Sequence, residues 1–324
     1  MSQEQQNFPN DCSMPSNCHP HAPGPDRQDD GPDSALRRPV SGMLYRFFYL
    51  FSLLPPQLLK LLSLLVYWLL SAVMRYRYAV IFQNLSRSFP EKPDAEIRKI
   101  VRQYYWHFAN LFREILESAS LSEKKMRRRV RIVNPELLNQ YQRQGRSLII
   151  MLGHQGNWEY LNIVPRHFSF DMYALYKPLS NVYFDDLIKR FRSRFGMKLL
   201  PMAQAARFML ANRDKPRAYF FVADQSPAPG SRCCIEFLNQ RTLMFEGAEK
   251  LAGSIGAVVL YAEFRRSGKG WDLTFRLITA DPSATSPFEI TRTFGKYLET
   301  SIQERPSDWL WSHRRWKHTR AEVA

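Results

Sequence analysis

The stretch "RSLIIMLGHQGNWEYL", residues Arg146–Leu161, predicts a buried strand, a tight turn and a helix in direct succession. The apolar run that ends at Leu152 is typical of a strand buried on both faces of a sheet. Gly153 and Gly156 interrupt this run, and an apolar helical pattern follows. The junction therefore places His154 beyond the carboxyl end of a buried strand, where the sites of open α/β sheets lie.

The chain from about residue 131 onward alternates short apolar runs with amphipathic ones, which favours strands alternating with helices. This order predicts an α/β fold with a mostly parallel central sheet flanked by helices. The predicted strands are "RSLIIML", "DMYALYK", "MKLLPM", "RAYFFVADQ", "AVVLYAEFRR" and "WDLTFRLI".

Residues 1–42 form a polar, Pro-rich tail that contains almost no large apolar side chains. Such a segment cannot bury enough surface to offset its ordering entropy, so we expect it to be disordered. Met43 opens "MLYRFFYLFSLLP", which reads like a natural beginning, and the tail is expected to be an upstream extension.

Residues 43–76 are strongly apolar and aromatic, and Pro55-Pro56 divides them into two pieces. Arg75 and Arg77 follow with interleaved tyrosines, a pattern typical of anchors at a membrane interface. We therefore predict a membrane-associated helical segment; a buried core helix is the alternative. The sequence leaves open whether the segment spans the bilayer, re-enters it or lies in the interface.

Charge and cysteine usage restrict the partners. The chain has 324 residues, 46 of them Lys or Arg against 30 Asp or Glu, and this balance indicates an anionic partner such as a nucleic acid, a phospholipid surface or an acidic protein. No cysteine pair has zinc or C-x-x-C spacing, so no metal site and a reducing cytoplasmic compartment are expected. Cys233 and Cys234 are interpreted as structural.

His154 and Glu159 have the H-x4-E spacing of a possible base and its orienting carboxylate. On one continuous helix they would lie about 140° apart, so they can meet only if His154 lies in the turn. A carboxylate on one imidazole nitrogen leaves the other free to accept a proton. Spacing alone favours the alternative, a surface histidine and a solvated glutamate.

The stretch "HQGNWE" resembles the H-x-G-N-W-E form of the motif in the lipid A biosynthesis (late, or secondary) acyltransferases, within the lysophospholipid-acyltransferase-like superfamily. The resemblance covers nearly all of residues 43–324 and implies an acyltransferase domain over residues 77–324. The other blocks that carry it are "YRYAVIFQNLSRSFPE", "YALYKPLSNVYFDDLIKRFRSRFG", "FFVADQSP" and "WLWSHRRWK".

The resemblance implies transfer of a fatty acyl chain from acyl carrier protein, or from acyl-CoA, to a hydroxyl of a lipid A precursor. His154 would be the general base, and Glu159 would orient it and stabilise its imidazolium. No cofactor is implied, and the chain has no G-x-S-x-G elbow for a covalent acyl-serine. The implied location is the bacterial inner membrane, with the catalytic domain in the cytoplasm.

Four further residues are candidates for binding substrate or the thioester oxyanion: Lys177, Asn157, Asp224 and Gln225. Lys177 stands in "YKP" where many family members have Tyr-Arg-Pro, and lysine keeps the charge but loses the two-pronged geometry. An ordinary strand-end lysine is the alternative. Asp224 is expected to bind the acceptor's polar head or to hold its loop, and Asn157 is more typical of a turn residue.

The terminal "WSHRRWKH" interleaves basic and aromatic residues, as nucleic-acid-binding and membrane-surface segments do. The apolar N-terminal segment favours the membrane surface, without nucleic acid, and His313 is interpreted as structural. Two other functions stay open: acyl transfer to a lysophospholipid or aminolipid, and a non-catalytic basic protein that binds membranes or nucleic acid.

Overall fold

The computed structural model describes residues 33–227 and 230–318, with side chains from residue 42 onward. The α-helices in this part of the chain are α1 Asp33–Ser52, α2 Pro56–Trp68, α3 Tyr78–Ser88, α4 Asp94–Ser118, α5 Glu123–Arg129, α6 Pro135–Arg143, α7 Val182–Ser193, α8 Met202–Ala211, α9 Gly247–Ile255 and α10 Glu289–Glu304. The strands are β1 Val130–Ile132, β2 Leu148–Leu152, β3 Asp171–Tyr176, β4 Lys198–Pro201, β5 Arg217–Val222, β6 Cys234–Phe237, β7 Gln240–Leu243, β8 Val258–Ser267 and β9 Gly270–Thr279.

Seven strands form one twisted sheet in the order β1-β9-β8-β2-β5-β3-β4. Every neighbouring pair is parallel except β8 and β9, which are antiparallel. Strand β2 lies at the centre of the sheet, and all five of its residues are buried. The predicted fold class, a mostly parallel sheet flanked by helices, is therefore confirmed.

The two faces of the sheet pack into separate apolar cores, as the two-residue period of a strand requires. Ile149 and Met151 of β2 contribute to the core beneath α9 and α10. Leu148, Ile150 and Leu152 contribute to the opposite core, beside α6 and the helical segment after the turn. Successive side chains of β2 point to opposite faces, and both faces are buried. The strand therefore has no polar side, which explains its uninterrupted apolar run.

A β-hairpin made by β6 and β7 is absent from the sequence predictions. Its two turn residues, Leu238 and Asn239, have φ of 51° and 58°, as a type I′ turn requires. The usual signal for that turn is Asn-Gly or Asp-Gly, and a leucine in the first position hides it. Leu238 is fully buried, so packing in the core offsets the strained backbone.

The N-terminal apolar segment is helical and breaks at Pro55-Pro56, as predicted. The first helix begins at Asp33, ten residues before the predicted start at Met43; the rest of the expected disordered tail, residues 1–32, lies outside the described residues. In the part of the chain that the structure describes, one helical stretch, Pro56–Val73, is long and apolar enough to cross a membrane by length and composition.

The C-terminal segment, residues 305–318, packs against α3 and β7. The Asn84 side-chain amide donates to the carbonyl oxygens of Trp311 and His313, at 2.9 and 3.0 Å. Arg77 donates from Nη1 to the Ser312 carbonyl at 2.9 Å. Because this irregular segment lacks strand partners over most of its length, side chains of α3 satisfy its carbonyl groups.

We expect Asn84→Ala to lower the free energy of unfolding by about 1–3 kcal/mol, because two carbonyl groups lose their donor. Gln83→Ala, an exposed neighbour on the same helix, is the matched control and should change it little. Urea denaturation in detergent measures both variants. Equal midpoints for the two would show that Asn84 does not hold the C-terminal segment.

Candidate active site

His154 lies in the turn that follows β2, at the carboxyl edge of the sheet. Two glycines make the turn possible. A side chain at Gly153 would place Cβ 2.5 Å from Leu298 Cδ1 and 3.2 Å from Asp224 Oδ2. Gly156 has φ of +66°, and a Cβ there would meet the Phe264 backbone oxygen at 2.8 Å. Glycine therefore allows the turn to approach its neighbours closely and, at Gly156, to reverse.

The carboxylate that contacts His154 is Asp224. His154 Nδ1 lies 2.6 Å from Asp224 Oδ1, and the backbone N–H of His154 donates to Oδ2 at 2.7 Å. Sheet register explains the pairing: Leu152 is opposite Val222 in the parallel β2–β5 pair, so the two strands end side by side. Residues that are 70 positions apart in the chain thus follow neighbouring strand ends.

A third donor reaches Asp224 from the C-terminal segment. Trp309 Nε1 donates to Asp224 Oδ2 at 2.7 Å. The same segment is fixed to the turn by its backbone, since the Leu310 N–H donates to the His154 carbonyl at 3.1 Å and Gly156 N–H donates to the Asp308 carbonyl at 3.0 Å. The C-terminal segment is therefore one wall of the site.

Asp224 is ionised at neutral pH. Burial by itself raises the pKa of this carboxyl. His154 and the indole of Trp309 lower the pKa by more than burial raises it, and the net pKa is about 2. An ionised Asp224 accepts the Nδ1–H of His154 and fixes the tautomer in which Nε2 carries a lone pair. Nε2 faces the exposed Gln225, whose side-chain nitrogen is 3.3 Å away.

Glu159 makes a different contact from the one that the sequence predicts. Its carboxylate receives two bonds from one guanidinium, Arg192 Nε to Oε2 at 2.8 Å and Nη2 to Oε1 at 2.5 Å, and a third from Trp158 Nε1 at 3.1 Å. The predicted orienting contact of Glu159 with His154 is therefore wrong, because Asp224 occupies the Nδ1 side of the imidazole.

The Glu159 charge is nonetheless maintained close to the imidazole. Burial raises the pKa of Glu159, but the guanidinium of Arg192 and, more weakly, His154 outweigh it, so the net pKa is lowered. The Trp158 ring packs edge-on against the His154 ring, with centroids 5.1 Å apart. Glu159 is thus a negative charge within electrostatic range of His154, although it makes no bond to Nδ1.

Asn157 attaches the turn to helix α4. It is fully buried, and its Nδ2 donates to Glu114 Oε2 at 2.8 Å. Glu114, on α4, also accepts from Trp271 Nε1 at 2.9 Å and from Arg266 Nη1 at 2.5 Å. This places Asn157 as the expected turn residue, although its side chain makes no helix-cap bond.

Lys177 and Gln225 are the exposed candidates. Lys177 follows β3, and Gln225 follows β5, the parallel neighbour of β3. Both therefore lie at the carboxyl edge of the sheet, on the side of His154. Of the six predicted site residues, the structure brings His154, Asp224 and Gln225 into direct contact.

The terminal "WSHRRWKH" lies at the surface only in part, at Arg314 and Lys317. Trp311, Arg315 and Trp316 are buried, and Arg315 donates to the Leu243 carbonyl at 2.7 Å. Burial lowers the pKa of His313 to about 4, so it is neutral at pH 7. A pattern of alternating basic and aromatic residues indicates a surface segment only when the aromatic rings have no core to pack into. Here the β6–β7 hairpin contributes to such a core.

Three residues of the site, Trp309, Arg192 and Glu114, are missing from the sequence predictions. Each acts through a partner distant in the chain: Asp224, Glu159 and Asn157. The alternation of Trp309 and Trp311 is a weak sign of extended backbone, and Trp309 does bridge to Gln155. In the described part of the chain, no group of three or more His, Cys, Asp or Glu side chains is placed to hold a metal ion.

A histidine bonded to a buried carboxylate at the carboxyl edge of a parallel sheet is an arrangement suited to general-base chemistry. The chain belongs to the bacterial lipid A biosynthesis acyltransferases, whose family model matches residues 34–318. The protein is therefore an acyl-transferring enzyme, and the predicted family is confirmed.

Individual relatives are distant. A lipid A biosynthesis acyltransferase of Haemophilus influenzae is 21% identical over 70% of this chain and 72% of its own length. A lipid A biosynthesis lauroyltransferase of Escherichia coli is 24% identical over 77% of this chain and 81% of its own. A phosphatidylinositol mannoside acyltransferase of Mycobacterium tuberculosis is 23% identical over 72% of this chain and 75% of its own length.

We expect Asp224→Asn to lower kcat by about 10²–10⁴-fold, because an amide can donate to Nδ1 and force the imidazole proton onto Nε2. Glu159→Gln should lower kcat less and mainly reduce stability, by about 1–3 kcal/mol, since Arg192 loses its charged partner. Acyl transfer and thermal unfolding of purified variants separate the effects. A larger rate loss in Glu159→Gln than in Asp224→Asn would contradict this assignment.

Trp309→Phe should lower kcat about 10–100-fold while the ring still fills its space, because a hydrogen bond to a charged group is lost. Trp311→Phe is the matched control: Trp311 is equally buried and bonds the Pro306 carbonyl rather than Asp224. Both variants are expected to lose a similar, small amount of stability. If kcat falls equally in both variants, the Trp309 bond has no particular role in positioning Asp224.

Proposed function

We propose that this acyltransferase moves a fatty acyl chain from acyl carrier protein to a hydroxyl of a lipid A precursor, at the cytoplasmic face of the bacterial inner membrane. One observation carries the proposal. The imidazole of His154 is held at Nδ1 by a buried, ionised Asp224, and its Nε2 faces the exposed side of the sheet edge. A base so prepared can take a proton from an alcohol.

The reaction then needs one proton relay and no covalent acyl-enzyme. His154 Nε2 takes the proton of the acceptor hydroxyl while the hydroxyl oxygen forms a bond to the thioester carbon. The electron pair of the carbonyl moves to oxygen and returns as the carbon–sulfur bond breaks. The imidazolium gives its proton to the departing thiolate, which restores neutral His154. Asp224 stabilises the imidazolium in between.

Two charges assist this sequence at a distance. The guanidinium of Arg192 holds Glu159 in its ionised form beside the imidazole. In this proposal the negative charge of Glu159 stabilises the imidazolium that forms during the reaction. Glu159 therefore keeps a part of its predicted role, stabilisation without orientation.

The exposed candidates supply substrate contacts in this proposal. Lys177 provides a positive charge for the thioester oxygen or for a phosphate of the acceptor. Gln225, whose amide is 3.3 Å from Nε2, is within reach of the hydroxyl that approaches the base. Asn157 holds the turn through Glu114 and does not contact substrate.

The donor and the acceptor are supported to different degrees. A net charge of +16 suits docking of an acidic carrier protein, and acyl-CoA is the alternative donor. For the acceptor, the lipid A enzymes and the mycobacterial phosphatidylinositol mannoside acyltransferase have similar identities to this chain. Identity to relatives therefore does not single out one acceptor. A lysophospholipid or aminolipid acceptor is the second candidate, and lipid analysis distinguishes it from lipid A.

We expect cells that lack the protein to lose one acyl chain from lipid A, and expression of the native chain to restore it. His154→Ala should fail to restore it, although the variant folds and stays with the membrane. Mass spectrometry of the outer-membrane lipids measures the change. Loss of a phospholipid or aminolipid species instead would transfer the proposal to the second acceptor class, and restoration by His154→Ala would exclude the base mechanism.

A further inference from the structure

Helices α1 and α2 expose an apolar outer face to the surroundings. Its exposed members include Phe47, Leu50, Leu61, Leu65, Trp68 and Val73. Contiguous exposed apolar surface of this extent exceeds what a soluble domain normally presents. By length and composition the stretch Pro56–Val73 would suffice to cross a bilayer, so two arrangements compete: a helix that spans the membrane and one that lies along it.

The inner face of α2 lies along α4, in the opposite direction. At the end of α1, four residues before α2, the Ser52 carbonyl accepts from Ser120 Oγ, which lies just beyond α4, at 3.1 Å. Further along, Tyr67 packs edge-on against Trp106, with ring centroids 5.8 Å apart. The first contact fixes the segment that leads into α2, and the second attaches the far end of α2 to α4.

Packing between these two attachments is continuous. Leu59 and Ser63 are 3% and 1% exposed, one turn apart on the side that faces the domain. Beyond α2, the Tyr105 hydroxyl donates to the Tyr76 carbonyl at 2.8 Å. Helix α2 is therefore part of the domain over its whole length, and it is not a separate stalk that leads away from it.

The opposite side of α4 belongs to the catalytic site. Glu114 is 1% exposed and accepts from Asn157 of the turn and from Trp271 of β9. Helix α4 thus lies between α2 and the turn that carries His154. If α2 crossed the bilayer, α4 and its ionised side chains would be drawn to the depth of the hydrocarbon, at a cost of several kcal/mol for each charge.

We infer that α1 and α2 lie within one leaflet of a phospholipid bilayer, with the outer face inserted, and that neither crosses it. Lys60 and Arg75 are exposed, and their long side chains can extend from the edges of the face to lipid phosphates. Trp68 is exposed near the end of this face, and in this arrangement its indole would lie at the membrane interface, where tryptophan concentrates. The inference concerns attachment alone and does not depend on the proposed acceptor.

This arrangement sets the site close to the membrane surface. Helix α4 is the only layer between the lipid-facing α2 and the turn at Asn157 in the described residues. A lipid acceptor then reaches His154 from the leaflet in which it already resides. The apolar side chains Val182 and Phe184, exposed at the start of α7 next to the loop of Lys177, extend the surface toward the site.

The topology is tested by cysteine labelling with a membrane-impermeant maleimide. The exposed Cys234 reports the side of the catalytic domain, in a background with Cys12→Ser, Cys18→Ser and Cys233→Ala. Gln57→Cys, at the start of α2, is the test position, with Cys234→Ser added. In inverted and right-side-out vesicles, it should label from the side of Cys234 or from neither side. Labelling from the opposite side would show that α2 spans and would overturn the inference.

A second measurement identifies what covers the outer face. A fluorophore attached at Leu61→Cys should be quenched by brominated lipids in vesicles of phosphatidylethanolamine and phosphatidylglycerol. The matched control is Arg102→Cys, an exposed position on the polar part of α4, which should not be quenched. An unquenched probe at position 61 in active protein would mean that another protein surface, such as a second copy, covers the face instead, and would also overturn the inference.

Discussion

The buried carboxylate of Asp224 is the group on which the rest of the site depends. An ion held at 2% exposure is costly unless donors saturate it. Its three donors are the backbone and ring of His154 and the indole of Trp309. They come from the end of β2 and from the C-terminal segment, while Asp224 itself follows β5. One charge therefore joins three remote segments, its own included, and His154 is oriented as part of satisfying it.

A second buried carboxylate applies the same constraint from the other side of the turn. Glu114 on α4 gathers Asn157, Trp271 and Arg266, so the turn is held between two saturated anions. Since α4 also carries α2 on its outer side, the exposed apolar helices and the turn that holds His154 pack on the same helix. The proposed membrane attachment and the proposed catalytic geometry thus depend on one helix, although each arises from different residues.

Local sequence predicted much of this arrangement. The apolar run before Gly153 was sufficient to predict a central strand, and the glycines on either side of His154 were sufficient to place it in a turn. The contact of Glu159 was not predictable, because carboxylates five and seventy positions away compete for the same nitrogen and only strand register decides between them. The hairpin at Leu238 and the burial of Trp311 were missed because both depend on a core that neither segment builds alone.

The sequence by itself determined the alternation of strands and helices, the turn that carries His154, the apolar N-terminal segment and the acyltransferase family. These features are set by local patterns: periodicity, glycine at a turn, and an ordered series of motifs. Only the tertiary structure decided which carboxylate orients His154, that the terminal tryptophans are core, and that α2 lies along α4. Each of those outcomes depends on which of several groups, distant in the chain, lies close in space to a buried partner. Only the folded structure sets that distance.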